Sequence, residues 1–285
     1  MLVNMKEMLK KAYLNNYCVP QFNINNLEWT RYILEASESV KSPVILGASE
    51  GAIKYFGGYS TVVAVVNSLI KDLNISIPVT LHLDHGSSYE SCVKAIDAGF
   101  SSVMIDASKY SLEENIRITS LVVNYASERN ISVEAEIGHI GGNEDGVVGE
   151  VYYTNLEDAK KLYEMTKIDF LAPALGSVHG LYVGEPKLNF EVMKEISDSL
   201  KIPLVLHGGT GIPDDLIKKA IICGISKLNI NTELQIVWTK AVREFLNNNE
   251  DVYDPRKVIK SGESAIKDSV ITKINLLGSN NQANM

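Results

Sequence analysis

What most constrains the fold of this chain is a repeat of pattern without a repeat of residues. A short apolar run rich in branched side chains is followed by a stretch with helical periodicity, and this happens eight times without a break in composition. The strand-like runs are Val19–Ile24, Pro43–Ser49, Val79–Asp84, Ser102–Ala107, Val133–Gly138, Asp169–Ala174, Pro203–His207 and Lys227–Asn231. Helical patterns follow them at Leu27–Val40, Thr61–Leu73, Tyr89–Ala98, Leu112–Arg129, Leu156–Thr166, Phe190–Ser199, Asp214–Cys223 and Glu233–Leu246. Strict alternation implies a parallel sheet, and eight units imply that it closes into an α/β, (β/α)8 TIM barrel. A doubly wound open sheet is the alternative architecture. The 285 residues then form one domain, 1–285.

Three segments fall outside the repeat. Met1 to Tyr17 reads as an extra amphipathic N-terminal helix, with Met5, Met8, Leu9 and Ala12 on one face. Residues 139–155 read as a long Gly-rich acidic loop, and loops of that length in a compact domain are usually functional. Beyond the eighth unit, residues 254–285 read as a C-terminal helical extension opening at Asp254-Pro255.

In a barrel of this kind chemistry is delivered by the carboxyl ends of the strands. Those ends carry Ser49, Asp84 with His85, Asp106, Glu136, His207, and Asn229 with Asn231, and His179 follows the sixth strand. Of five histidines, three (His85, His179, His207) lie at or beyond strand ends, and three imidazoles with an open fourth position suit a catalytic zinc. His82 is expected to be a satisfied structural residue, and His139 has no assigned role. After the seventh strand comes Gly208-Gly209-Thr210-Gly211, then Ile212-Pro213 opening a helix, a backbone suited to an anion. Ser177 to Gly180 and Asn229 to Thr232 can add donors from neighbouring loops. No Gly-Lys-Ser/Thr element follows, so the run is not a nucleotide P-loop.

A formal charge of −8 argues against nucleic acid and anionic membranes as partners. No stretch approaches the length of a membrane span, and the start lacks the apolar region of a secretory signal. Three scattered cysteines, Cys18, Cys92 and Cys223, fit a reducing cytoplasm without disulfides.

At this point the sequence resembles the class II, zinc-dependent fructose-bisphosphate aldolases over almost its whole length. The matching stretches are Gln21 to Glu28, Leu81 to Ser88, Ser102 to Ser108, Val133 to Gly138, Ala172 to Gly180 and Leu206 to Gly211. The resemblance implies reversible aldol cleavage of fructose 1,6-bisphosphate to dihydroxyacetone phosphate and glyceraldehyde 3-phosphate, in glycolysis and gluconeogenesis. It implies His85, His179 and His207 as ligands of a catalytic Zn2+. Asp106 and Glu136 match a second or alternative divalent-metal position, and a monovalent cation is compatible with the pattern. Asp84 matches the acid–base residue, and Glu144 the proton-transfer carboxylate of the loop. Gly180, Gly208, Gly209, Thr210, Asn229, Ile230, Asn231 and Thr232 match the dihydroxyacetone phosphate site, and Ser49 a contact to the aldehyde half. Arg256, in the tail, is expected to reach a neighbouring subunit's distal phosphate in a homodimer or homotetramer.

Tagatose 1,6-bisphosphate aldolase, of the same family, is the nearest alternative. Gly209-Thr210 and Asn231 favour the fructose substrate, because the tagatose enzymes tend to carry Ala-Ser and Ala at those places. A lysine Schiff-base aldolase is disfavoured, since no strand ends in lysine. A non-catalytic barrel acting as a binding or adhesin protein would have been marked by a lost ligand, and none is lost.

Overall fold

The computed structural model describes residues 2–144, 147–149, 153–180, 182 and 184–284, with 142–144 and 147–149 described by their backbone alone. Eight parallel strands close into a barrel: β1 (Val19–Asn23), β2 (Val44–Ser49), β3 (Val79–Gly86), β4 (Ser102–Ile105), β5 (Ser132–Ile137), β8 (Phe170–Pro173), β10 (Leu204–Leu206) and β11 (Ile225–Ile230). Around the barrel they follow chain order, and β1 closes it by pairing with both β2 and β11. The outer helices are α2 (Leu27–Ser39), α4 (Tyr59–Asp72), α5 (Tyr89–Ala98), α6 (Leu112–Ser127), α7 (Leu156–Thr166), α8 (Phe190–Leu200), α9 (Asp214–Ile222) and α10 (Thr232–Asn248). Many are started by the side chain that precedes them. Asn26, Ser88, Ser111, Asn155 and Asn189 each accept a bond from a backbone N–H of the first turn.

Helix α1 (Met5–Leu14) plugs the amino end of the barrel. Met5, Met8, Leu9 and Ala12 pack against Val19, Ile45, Phe170 and Val205, apolar residues near the strand starts. Beyond α10 the tail forms α11 (Pro255–Lys260) and α12 (Glu263–Leu276). Ile266, Val270 and Ile274 of α12 are fully buried, and Lys267 of α12 pairs with Glu35 of α2. With α1 closing one end, access for a substrate is confined to the carboxyl end.

Two stretches differ from the sequence reading. A seven-residue helix, α3 (Glu50–Phe56), follows β2, capped by Ser49 and ended by Gly57 in the left-handed region. It is too short to give a periodic signal. The segment read as a plain loop over 139–155 contains β6 (Gly141–Glu144) and β7 (Val147–Gly149), which pair antiparallel. Strand β6 also pairs in parallel with β9 (Val178–His179), so its backbone bonds are met by another loop and not by solvent.

Candidate active site

Adjacent residues of a regular strand face opposite sides, so Asp84 and His85 could not both serve one site. A bulge solves this. Along β3 and β4, Leu83 pairs with Val103 but Gly86 pairs with Ile105, so three steps on β3 match two on β4. Within the bulge His85 sits at φ +51°, in the left-handed region, and the strand is re-aimed so that both side chains serve the barrel mouth. Such a conformation is strained for a non-glycine residue by roughly 1–2 kcal/mol, and residues of this kind cluster at functional sites.

The three histidines converge. Ring centroids lie 4.6 Å apart for His85 and His207, 5.1 Å for His85 and His179, and 5.7 Å for His179 and His207. One nitrogen from each falls within 4.8 Å of the others, and the same holds for His85 with Asp106 and Glu136. His85 is common to both triplets. The two carboxylates therefore stand on the other side of its ring, where Asp106 Oδ2 is 3.0 Å from Nδ1 and Glu136 Oε2 is 3.9 Å away.

The surrounding hydrogen bonds decide which nitrogens are lone pairs. His207 Nε2 lies 2.9 Å from Glu134 Oε1, so its proton is held there and Nδ1 is left as an acceptor. His85 Nδ1 faces Asp106, which leaves Nε2 as the lone pair. These two acceptors meet at 2.8 Å. Two lone pairs so placed repel unless a proton or a cation lies between them. The donor set is three imidazoles, with His85 and His207 each oriented from behind by a carboxylate, and that is the zinc preference. The residues present therefore fit the metal that the sequence implies.

Electrostatics agree. Burial raises the Asp106 carboxyl, but bonds from His85 and Ser108 outweigh it and hold the group well below the usual carboxylate range. Burial also raises Glu134, and the Lys227 ammonium, 2.7 Å from its Oε2, together with His207 more than reverses this. Burial pushes His207 down, partly offset by Glu134. His82, inside the barrel with Nδ1 on Ser102, is pushed down to about 3 by burial and by Lys227, so it is neutral.

Asp84 is fully buried beside this cluster and belongs to neither triplet. Its oxygens accept from Asn23 Nδ2 at 2.8 Å and from Asn229 Nδ2 at 3.2 Å. That fixes a carboxylate by two neutral amides, an orientation suited to moving a proton. The glycine run after β10 packs against the His179 loop: a Cβ on Gly208, itself at φ +66°, would come within 2.1 Å of Val178 O. Gly180 lies beside it. Gly209 donates its N–H to Asn229 O, and Thr210 Oγ1 accepts from Glu233 N in the first turn of α10. Asn229, Asn231 and Thr232 thus border the same run, while Ile230 is fully buried. The Ser49 hydroxyl, expected to touch the aldehyde half, accepts from Ala52 N as the cap of α3. The Glu144 side chain lies outside the described residues. Arg256 stands apart: 89 % exposed on α11, its guanidinium bonds Asp254, and among the described residues no bond joins it to the cluster.

The supporting residues Asn23, Glu134, Lys227 and Ser108 carried no assignment from the sequence. His139 acquires a contact too, its Nδ1 3.3 Å from Ser108 Oγ, which in turn donates to Asp106.

A closed parallel barrel with three imidazoles able to hold a metal ion and a buried carboxylate at its carboxyl mouth is the layout of a (β/α)8 enzyme. Residues 3–282 match the family model described as fructose-bisphosphate aldolase class-II. The chain belongs to that family. It is 60 % identical over 283 residues to a fructose-bisphosphate aldolase of Geobacillus stearothermophilus and 59 % identical to one of Staphylococcus epidermidis, covering 99 % of each chain in both cases. Among solved structures it is similar to the YdjI aldolase of Escherichia coli K12 (TM-score 0.86, 35 % identity, all of both chains). It is also similar to the fructose-bisphosphate aldolase of Campylobacter jejuni (TM-score 0.81, 27 % identity, 97 % of this chain and 95 % of that one).

Proposed function

We propose that the chain is a lyase that reversibly cleaves fructose 1,6-bisphosphate to dihydroxyacetone phosphate and glyceraldehyde 3-phosphate. The observation that carries this reading is the convergence of His85, His179 and His207 beside the buried carboxylate of Asp84. His85, His179 and His207 would hold Zn2+, which supplies a Lewis acid for the charge that develops on the ketone oxygen. Asp84, held by Asn23 and Asn229, takes the proton from the hydroxyl beyond the scissile bond. Glu144 is the carboxylate assigned to return a proton to the dihydroxyacetone half. Gly180, Gly208 to Thr210 and Asn229 to Thr232 hold that half's phosphate and fix the reacting carbon relative to Asp84. Support comes from the start of α10 beside Thr210, where backbone N–H groups favour an anion. Asp106 and Glu136, with His85, offer a second divalent position, supported by the donor atoms lying within 4.8 Å of one another. The enzyme acts in the cytoplasm, a reading supported by three buried free cysteines, and the family resemblance implies a homo-oligomer.

The test is a cleavage assay on fructose and tagatose bisphosphates side by side, with metal removed and then restored. Chelation should abolish activity, Zn2+ should return it, and borohydride with substrate should leave the enzyme active. A covalent lysine adduct after borohydride would replace the metal reading by a Schiff-base one.

A further inference from the structure

Strand β9, which carries His179, is two residues long and cannot orient its side chain by itself. One edge is held by the ladder to Gly141 and Gly142 of β6. The other edge meets a tyrosine that neither the sequence reading nor the mechanism uses. Tyr182 Oη accepts the N–H of Val178 at 3.2 Å and donates to Gly208 O at 3.0 Å. Val178 immediately precedes His179, and Gly208 immediately follows His207. One phenol therefore joins the backbones on which two of the three histidines stand. Gly208 Cα also packs against the Val178 carbonyl, with no room for a side chain between them. Burial pushes the Tyr182 phenol up, so it keeps its proton and can do both jobs at once.

We infer that Tyr182 is a positioning residue that sets the spacing of His179 and His207 by hydrogen-bonding the backbone beside each, and thereby sets the affinity of the site for its metal. The inference rests on the reading of His179 and His207 as metal ligands. Outer groups that orient ligands are typically worth 10–100-fold in metal affinity. A single hydroxyl acting through backbone belongs at the lower end of that range.

The experiment is a chelator competition for Zn2+ on metal-free protein, with Co2+ absorption as a second readout of the ligand geometry. Tyr182→Phe, which removes one oxygen and keeps the ring, should bind Zn2+ about tenfold more weakly and shift the Co2+ bands. Gly208→Ala should weaken binding as well, because its Cβ pries the same two loops apart. The control is Tyr125→Phe, which removes a hydroxyl bonded at 2.6 Å to Asp97 between two outer helices. It should lose some thermal stability and bind Zn2+ as the wild type does. Tyr182→Phe binding within twofold of wild type, or weakened no more than Tyr125→Phe, would overturn the inference. A wild-type protein that holds no Zn2+ would instead overturn the ligand reading on which it rests.

Discussion

Asp84→Asn separates chemistry from metal binding more cleanly than any other single change at this site. The carboxamide has the shape of the carboxylate but cannot accept a proton. General acid–base groups contribute typically 10²–10⁴ in rate, so kcat for cleavage should fall by that factor, or about 2.7–5.5 kcal/mol of transition-state stabilisation. The local hydrogen bonds add a second, independent expectation. Asp84 Oδ2 and Oδ1 now accept from Asn23 and Asn229, and an Asn in its place can accept from only one of them. The other amide is left facing an amide N–H, buried and unpartnered, at a cost of roughly 1–3 kcal/mol. At 2–4 °C per kcal/mol for a chain of this size, the melting temperature should fall by about 2–12 °C. Metal content should not change, because among the described residues Asp84 is in neither group of side chains able to hold a metal ion. The assay pairs cleavage kinetics with elemental analysis of the purified variant. If Asp84→Asn loses its metal, Asp84 is a ligand and not a base. If it keeps its metal and cleaves within threefold of wild type, the proton is taken by another group.

Lys227→Met leaves Glu134 as a buried charge facing His207 and the neutral His82, and should destabilise the fold by about 3–5 kcal/mol in urea unfolding; adding Glu134→Gln should restore part of that loss. Glu38 accepts from Ser76 N at 2.7 Å, Ser76 Oγ, Ile77 N and Lys41, and these bonds outweigh burial to bring its carboxyl down from 4.5 to about 2. A depressed carboxyl stabilises the fold above its unfolded value, so wild type should exceed Glu38→Gln by about 1–2 kcal/mol at pH 7, with the difference fading between pH 4.5 and pH 2; a gap that persists at pH 2 would assign the effect to shape and not charge. The proposal that Arg256, exposed and bonded to Asp254 among the described residues, serves a neighbouring subunit has its own test. Mixing Asp84→Asn with Arg256→Ala under exchange conditions should return about a quarter of wild-type activity if sites are shared across a reciprocal dimer, and no gain over the two mutants' average once native mass spectrometry confirms hybrids would end that reading.

The eight-unit pattern was legible because each apolar run is bounded by polar punctuation and each helix is long enough to show its period. The seven residues of α3 and the short strands of the 139–155 segment were not, since neither spans enough turns or alternations to stand out. Nor did anything in Leu83-Asp84-His85-Gly86 announce a bulge: the alternation rule places Asp84 and His85 back to back, and only the register shift against β4 reconciles them. Asn23, Glu134 and Lys227 were hidden for a different reason. Their partners lie far along the chain, with Glu134 and Lys227 separated by 93 positions, so no local spacing couples them. Yet the strands hold a second regularity. Two residues before Asn23, Asp84, Glu136 and Asn229 stand Gln21, His82, Glu134 and Lys227, all fully buried. A period of two puts each pair on one face, so four strands each present a polar residue at the mouth and another one layer below it. That lower layer is where Glu134 meets both Lys227 and His207. A polar residue two places behind a polar residue at a strand end, inside an otherwise apolar strand, is thus a sequence-visible mark of the layer that orients the site. It names Glu134 and Lys227 without naming their partners, because closure of the barrel alone decides which strands face one another across it.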